Sequence, residues 1–193
     1  YVNGLRLKAP DGSLLTLDPA GAGAFKEHLK SFVIASAQKA LAGGTDLSAL
    51  AWLTIANGRV IDLDFDRYVR FATRMKATAA FDGQDLGTPE NDLFGSETVK
   101  ARHFTPFGQE HSTVPAALAE PAIVGMMNPM TYIGTPGATV ARFWRIRHGA
   151  VDRDTSLAVP VILATTLRNS GHVVDFALPW GVGHSGDYDL DEF

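Results

Sequence analysis

Two polar segments near the end of the chain carry an aspartate and a histidine that together could perform acid–base chemistry. Asp152 lies in WRIRHGAVDRDTS, and His184 lies further along the chain in GVGHSGDYD. In Ser-His-Asp catalysis, the carboxylate accepts a hydrogen bond from one imidazole nitrogen, and the other nitrogen removes the proton from the serine hydroxyl. The pair therefore predicts the acid and the base of such a site.

The serine that this pair would activate is not recognisable in the sequence. A catalytic serine on a sharp strand-to-helix turn has the pattern G-x-S-x-G, which occurs nowhere in the 193 residues. The chain also has no cysteine, which excludes a thiolate nucleophile, a disulfide and a cysteine-ligated metal. From spacing alone, a loop aspartate with an unrelated surface histidine remains the alternative interpretation.

Composition limits the classes of partner. Apolar residues make up 46% of the chain and charged residues 20%, which is ordinary for a globular protein. The formal net charge is −4 and there is no basic run, so we expect no nucleic-acid partner. The apolar stretches are too short to span a bilayer, so we expect no membrane partner. The chain begins with Tyr1 rather than Met, which predicts that upstream sequence has been removed or left out.

The last third of the sequence predicts a strand–helix–strand unit. Residues 141–147 alternate and are β-prone, residues 155–169 form a long apolar segment typical of a buried helix, and residues 172–178 predict a second strand. A right-handed crossover places the loops that follow both strands at the same carboxyl edge of a parallel sheet. Asp152 and His184 are therefore expected to lie face to face.

The first half predicts a helix, a hairpin and a second helix. Residues 25–41 repeat apolar side chains at helical spacing. An Asn-Gly pair at 57–58 favours a tight turn within a hairpin over residues 52–61, because both residues tolerate positive φ. Asp64 is placed to cap a helix over residues 65–75.

A long segment, residues 77–137, is rich in glycine and proline and has little periodicity. We expect one short helix in it, at about residues 120–130. A loop-rich segment of this length inside a compact domain is usually functional, for example as a lid.

Three segments together resemble bacterial tannases, which are α/β-hydrolases that cleave galloyl esters. They are WRIRHGAVDRDTS, the HSGDYD tail and MKATAAFDGQDLGTPENDLFG at residues 75–95. The resemblance implies an α/β fold in which this chain is the C-terminal part of the hydrolase, with late parallel strands and helices and a helical, loop-rich lid insertion. Residues 1–137 would be the lid or cap insertion with connecting segments, and residues 138–193 would be the C-terminal core with the catalytic loops.

The resemblance also assigns roles to five residues. Asp152 matches the triad acid and His184 the triad base, whereas Lys76, Glu90 and Asp154 match residues that hold the phenolic hydroxyls of gallate. The chemistry of these three is suitable, since an ammonium group offers donors and ionised carboxylates offer acceptors to the three ring hydroxyls. Without the resemblance, Lys76 would be interpreted as a solvated cation and Glu90 as a helix first-turn residue.

The resemblance further implies what lies outside this chain. The serine and the oxyanion hole belong to the N-terminal part of the same hydrolase, encoded by the same gene or present as a separate chain, and the substrate is a galloyl ester. We expect this chain alone to be inactive and to fold poorly, and we expect no metal or organic cofactor. Two alternatives stay open: a feruloyl-type or other aromatic-acid carboxylesterase, and a non-catalytic binding module.

Overall fold

The structure is a computed structural model that describes residues 1–72, 81–186 and 189–190. Its elements are, in chain order, α1 (Val2–Leu5), α2 (Ala24–Ala42), β1 (Leu53–Ala56), β2 (Arg59–Leu63), α3 (Phe65–Phe71), α4 (Pro89–Leu93), α5 (Pro106–Glu110), α6 (Pro121–Met127), a 3₁₀ turn (Pro129–Thr131), β3 (Phe143–Arg147), α7 (Ala158–Asn169) and β4 (Val173–Ala177). The described residues thus combine helices with a few strands, as an α/β protein does.

The chain divides into two compact units. Unit 1 consists of Tyr1–Met75 and Ala141–Phe193, and unit 2 consists of Lys76–Val140. Residues 1–75 are in the same unit as the C-terminal residues, because α2 and α3 bury apolar side chains in the same core as α7 and β4.

The strand–helix–strand unit predicted from the sequence is observed. β3 and β4 are parallel, with Phe143 opposite Val173 and Arg147 opposite Ala177, and α7 connects them. The helix begins at Ala158, later than predicted, so that Pro160 falls in its first turn. Proline is tolerated there because the first N–H groups of a helix have no intrahelical partner.

A hydrophobic core joins the helices of unit 1 to this sheet. Phe25 and Val33 of α2, Val161 of α7 and Phe176 of β4 are all buried in it. Burying a side chain of this size stabilises the folded state by about 1.5–3 kcal/mol. Because α2 and α7 bury these side chains together with those of β4, the packing fixes the position of β4 and of the loop that follows it.

The predicted elements of the first half are also present. The helix at residues 25–41 is confirmed as α2, and the hairpin is confirmed with Asn57 at φ 50° and Gly58 at φ 72°. The Asp64 carboxylate accepts a hydrogen bond from the Arg67 N–H at 3.0 Å, as predicted for a cap. The capped helix, α3, ends at Phe71 rather than at residue 75.

Unit 2 contains short helices with long connections. The helix predicted at residues 120–130 is observed as α6, which is followed by the 3₁₀ turn. α4 and α5 have five residues each, too few to produce a periodic pattern in the sequence. Both begin at a proline preceded by a capping threonine, Thr88 for α4 and Thr105 for α5. Among the described residues, no helix has the length and apolar character needed to cross a membrane.

Candidate active site

Two loops leave the carboxyl ends of β3 and β4 and run side by side. We call residues 148–157 the acid loop and residues 178–186 the histidine loop. Two backbone hydrogen bonds join them, from the Ala150 N–H to the Pro179 carbonyl at 2.9 Å and from the Val151 N–H to the Val182 carbonyl at 3.0 Å. The parallel pairing of the strands thus continues as contact between the loops, and this brings Asp152 beside His184.

Gly149 is the point of closest approach between the two loops. A β-carbon at this position would overlap the backbone carbonyl oxygens of Val182 and Gly183. Backbone atoms cannot rotate away as the end of a side chain can, so any larger residue would force the loops apart. The absence of a side chain at Gly149 is therefore a condition for the contact between the acid loop and the histidine loop.

The Asp152 carboxylate is held by three hydrogen-bond donors. Its Oδ1 accepts from the N–H groups of Asp154 at 2.7 Å and Thr155 at 2.9 Å, and its Oδ2 lies 3.1 Å from His184 Nδ1. The Asp152 side chain is 6% exposed, whereas that of His184 is 48% exposed. With Nδ1–H donating to Asp152, Nε2 of the half-exposed ring is the nitrogen that can accept a proton from a substrate or nucleophile.

Asp152 remains ionised despite its burial. Burial is the largest influence and acts to raise the pKa of this carboxyl, but the other contributions together outweigh it. The backbone N–H groups of Thr155 and Asp154, the hydrogen bond from His184 and the charge of His148 bring the pKa below its usual value. An ionised carboxylate at this position stabilises the positive charge that His184 acquires when it takes up a proton.

Two residues around Asp152 were not found by sequence reasoning. Buried His148 has its Nδ1 3.5 Å from Asp152 Oδ2, and the hydroxyl of Tyr68 in α3 donates to the Ala150 carbonyl at 2.7 Å. Burial, and secondarily the charge of Asp152, raises the pKa of Tyr68, so this hydroxyl stays a donor. The spacing of His148 four positions before Asp152 was a usable signal, but Tyr68 looks like an ordinary core residue of an amphipathic helix.

A cleft of about 490 Å³ opens beside the pair. Polar and apolar side chains line it together. The polar ones include Arg147, His148, Asp152 and His184, and the apolar ones include Val159 and Leu163 from the first turns of α7. Mixed lining of this kind suits an organic ligand that has both an apolar surface and polar groups.

Asp154 lies next to the pair. One ligand atom each from Asp152, Asp154 and His184 can be chosen such that all three lie within 4.8 Å of one another, a spacing that a metal ion could accept. Both carboxylate oxygens of Asp152 already accept hydrogen bonds, one of them from His184 itself, which suits proton transfer. The cluster therefore contains three of the five residues singled out in the sequence.

Of the other two predicted residues, one is described within unit 2 and one falls outside the described residues. Glu90 is half-buried in the first turn of α4, within unit 2, where its negative charge is favourable at the amino end of a helix. Lys76 lies outside the residues that the structure describes.

Gly149→Ala tests the contact between the loops. In the full-length protein, we expect it to lower the free energy of unfolding by about 1–3 kcal/mol, because the new methyl group overlaps the histidine loop backbone. Gly183→Ala is the matched control, since a β-carbon there meets no atom within 4 Å. We expect the control to change stability by less than about 0.5 kcal/mol in urea unfolding. Equal losses for the two variants would contradict the account.

The lowered pKa of Asp152 predicts a pH dependence of stability. A carboxyl whose pKa is lower in the folded state contributes stability above its unfolded pKa of about 3.9, and this is lost as the pH falls through the folded pKa. In urea unfolding of the full-length protein, we expect the stability difference between the wild type and Asp152→Asn to shrink as the pH falls from about 5 to about 2. A difference that stays constant over that range would show that Asp152 does not titrate in this way.

Several solved structures match this chain. No protein-family model and no curated protein sequence matches it. Tannin acyl hydrolase from Lactobacillus plantarum matches with 50% identity and a TM-score of 0.95, over 100% of this chain and 42% of that one. Fusobacterium nucleatum tannase matches with 44% identity and a TM-score of 0.91, over 100% of this chain and 41% of that one.

A further matching structure is a tannin acyl hydrolase in complex with ethyl gallate, with 49% identity and a TM-score of 0.94. It is also matched over 100% of this chain and 42% of that one, so the chain spans about two fifths of the length of these proteins. Along its whole length the chain is therefore a relative of the bacterial tannases, which confirms the resemblance predicted from its motifs.

Proposed function

We propose that this chain is part of a serine esterase that hydrolyses galloyl esters, and that it supplies the triad acid Asp152 and the triad base His184. The observation that carries the proposal is the hydrogen bond of 3.1 Å between buried Asp152 and half-exposed His184. Similarity to a tannin acyl hydrolase in complex with ethyl gallate, and to another in complex with 3,4-dihydroxybenzoate, supports the choice of substrate.

In this proposal, His184 transfers protons and Asp152 orients it. Nε2 of His184 removes the proton from a serine hydroxyl as the serine oxygen attacks the ester carbonyl, and it then protonates the departing alcohol. Water repeats the sequence on the acyl-serine and releases the aromatic acid. Asp152 stays ionised throughout and stabilises the imidazolium. The serine and the oxyanion-hole donors come from the N-terminal part of the same hydrolase, and this chain alone is inactive.

The trihydroxyphenyl ring is bound, in the same proposal, by Lys76, Glu90 and Asp154. Donors and acceptors of this kind bond ring hydroxyls and leave costly unpaired groups when a ring lacks them. The position of Asp154 beside Asp152 and His184 supports its part of the assignment, since the ester bond and the ring belong to one small substrate.

We further propose that residues 138–193 form late strands, a crossover helix and catalytic loops of an α/β-hydrolase core. Residues 1–137 form the lid or cap insertion together with connecting segments. The division into compact units supports a finer assignment within them, in which residues 1–75 are connecting segments packed on the core and the lid lies in unit 2.

His184→Ala tests the base. In the longer protein that includes the serine-bearing part, we expect kcat for methyl gallate to fall about a thousandfold or more, because His184 is the group that takes the serine proton in this mechanism. His172→Ala is the control, since His172 precedes β4 at the opposite end of the strand. Wild-type turnover by the His184 variant would refute the mechanism.

Methyl gallate and methyl ferulate distinguish the proposed esterase from a feruloyl-type enzyme. We expect a higher kcat/KM for methyl gallate, and we expect Lys76→Ala to reduce that preference by about tenfold or more with little effect on methyl ferulate. A preference for ferulate in the wild type would favour the feruloyl-type alternative. Hydrolysis of neither ester by the longer protein would favour a binding module.

A further inference from the structure

Unit 2 contains a serine, a histidine and an aspartate that are joined in that order by hydrogen bonds. His103 Nδ1 lies 2.7 Å from Asp82 Oδ1, and His103 Nε2 lies 2.9 Å from Ser112 Oγ. The His103 side chain is 0% exposed and that of Asp82 is 1% exposed, so an ester cannot approach the imidazole. The Ser112 hydroxyl also has the Val114 carbonyl 2.7 Å away as an acceptor. Burial of this kind is typical of residues that stabilise the fold rather than of residues that react with a substrate.

The Asp82 carboxylate is the centre of this network. Its Oδ1 accepts from His103 and from the Asn91 side-chain amide at 2.8 Å. Its Oδ2 accepts from Thr105, through the backbone N–H at 2.8 Å and the hydroxyl at 2.6 Å, and from the Phe104 N–H at 3.2 Å. Burial acts to raise the pKa of Asp82, but these donors outweigh it and the pKa is lowered. The carboxylate is thus ionised, and both of its oxygens accept hydrogen bonds.

Asn91 connects this network to α4. It is 0% exposed, and its amide donates to Asp82 and, at 3.1 Å, to the Arg102 carbonyl. Its side-chain oxygen accepts from the Gly83 N–H at 3.0 Å and belongs to a capping box with Thr88. A helix of five residues has little stability of its own, so these bonds determine where α4 lies and how it is oriented.

Glu90 immediately precedes Asn91 in the first turn of α4. Any rotation or shift of α4 that follows from loss of the Asn91 bonds therefore moves the Glu90 backbone as well. Recognition of a hydroxyl by a carboxylate requires its oxygen to lie at hydrogen-bond distance, and a displacement of about 1 Å is enough to lose the bond.

We propose that Asp82, Asn91 and His103 are positioning residues that set the specificity of the enzyme by fixing the carboxylate of Glu90. The inference rests on the proposed function, in which Glu90 binds a ring hydroxyl of the substrate. According to this inference, the preference of the enzyme for hydroxylated rings depends on buried residues that do not contact the substrate.

The test uses the longer protein, with ethyl gallate and p-nitrophenyl acetate as substrates. The acetyl group has no ring, so its transfer reports on the acid, the base and the serine alone. We expect Asn91→Ala and Asp82→Asn to raise KM for ethyl gallate about tenfold or more, which corresponds to loss of one hydrogen bond to a charged group. We expect kcat/KM for p-nitrophenyl acetate to change less than about twofold.

Asn128→Ala is the matched control, because Asn128 is an exposed asparagine of unit 2 that caps the 3₁₀ turn through the Met130 N–H. We expect it to leave both substrates unaffected. Glu90→Gln provides the reference, and we expect the double variant Glu90→Gln/Asn91→Ala to bind ethyl gallate no more weakly than Glu90→Gln alone. Such non-additivity shows that Asn91 acts through Glu90. If Asp82→Asn does not fold, Asn91→Ala and His103→Gln give the same comparison.

Two outcomes would overturn the inference in distinguishable ways. Equal losses on both substrates, or independent effects of Asn91→Ala and Glu90→Gln, would show that the network stabilises the fold without positioning Glu90. Unchanged KM for ethyl gallate in Glu90→Gln would instead contradict the proposed role of Glu90, and with it the inference.

Discussion

The Asp152 carboxylate is the group on which the geometry of the candidate site depends. An ionised group this deeply buried is stable only if its oxygens have donors, and the chain supplies them from the acid loop backbone and from His184. The backbone donors curl the acid loop around the carboxylate and fix the direction of its second oxygen. His184 can then reach that oxygen only because Gly149 allows the histidine loop to lie against the acid loop.

Within the described ranges, two buried aspartates are held by similar hydrogen bonds, with different consequences. Asp152 and Asp82 are both buried, both accept from backbone N–H groups and both pair with an imidazole. The difference lies in the histidine, since His184 is half exposed at the edge of a cleft whereas His103 is enclosed. Exposure of the imidazole ring therefore separates a pair that can reach a substrate from a pair that is enclosed within unit 2.

The sequence could predict those parts of the molecule that follow from local pattern and chain topology. The period of the apolar residues identified α2 and the strand–helix–strand unit, and the handedness of the crossover placed Asp152 and His184 at one edge. Buried polar bonds were not predictable in this way. Tyr68 and the Asp82 network acquire their partners only when distant segments pack, and no spacing in the sequence reports that event.

We have proposed that His184 and Asp152 act on a serine that another part of the same hydrolase provides. The most direct test is a crystal structure of the longer protein with ethyl gallate bound, in which the distance from His184 Nε2 to the nearest serine Oγ is measured. We predict a distance of about 2.6–3.2 Å, with the ester carbonyl carbon in contact with that oxygen. A structure in which no serine hydroxyl lies near His184, or in which the ester binds elsewhere, would contradict this prediction.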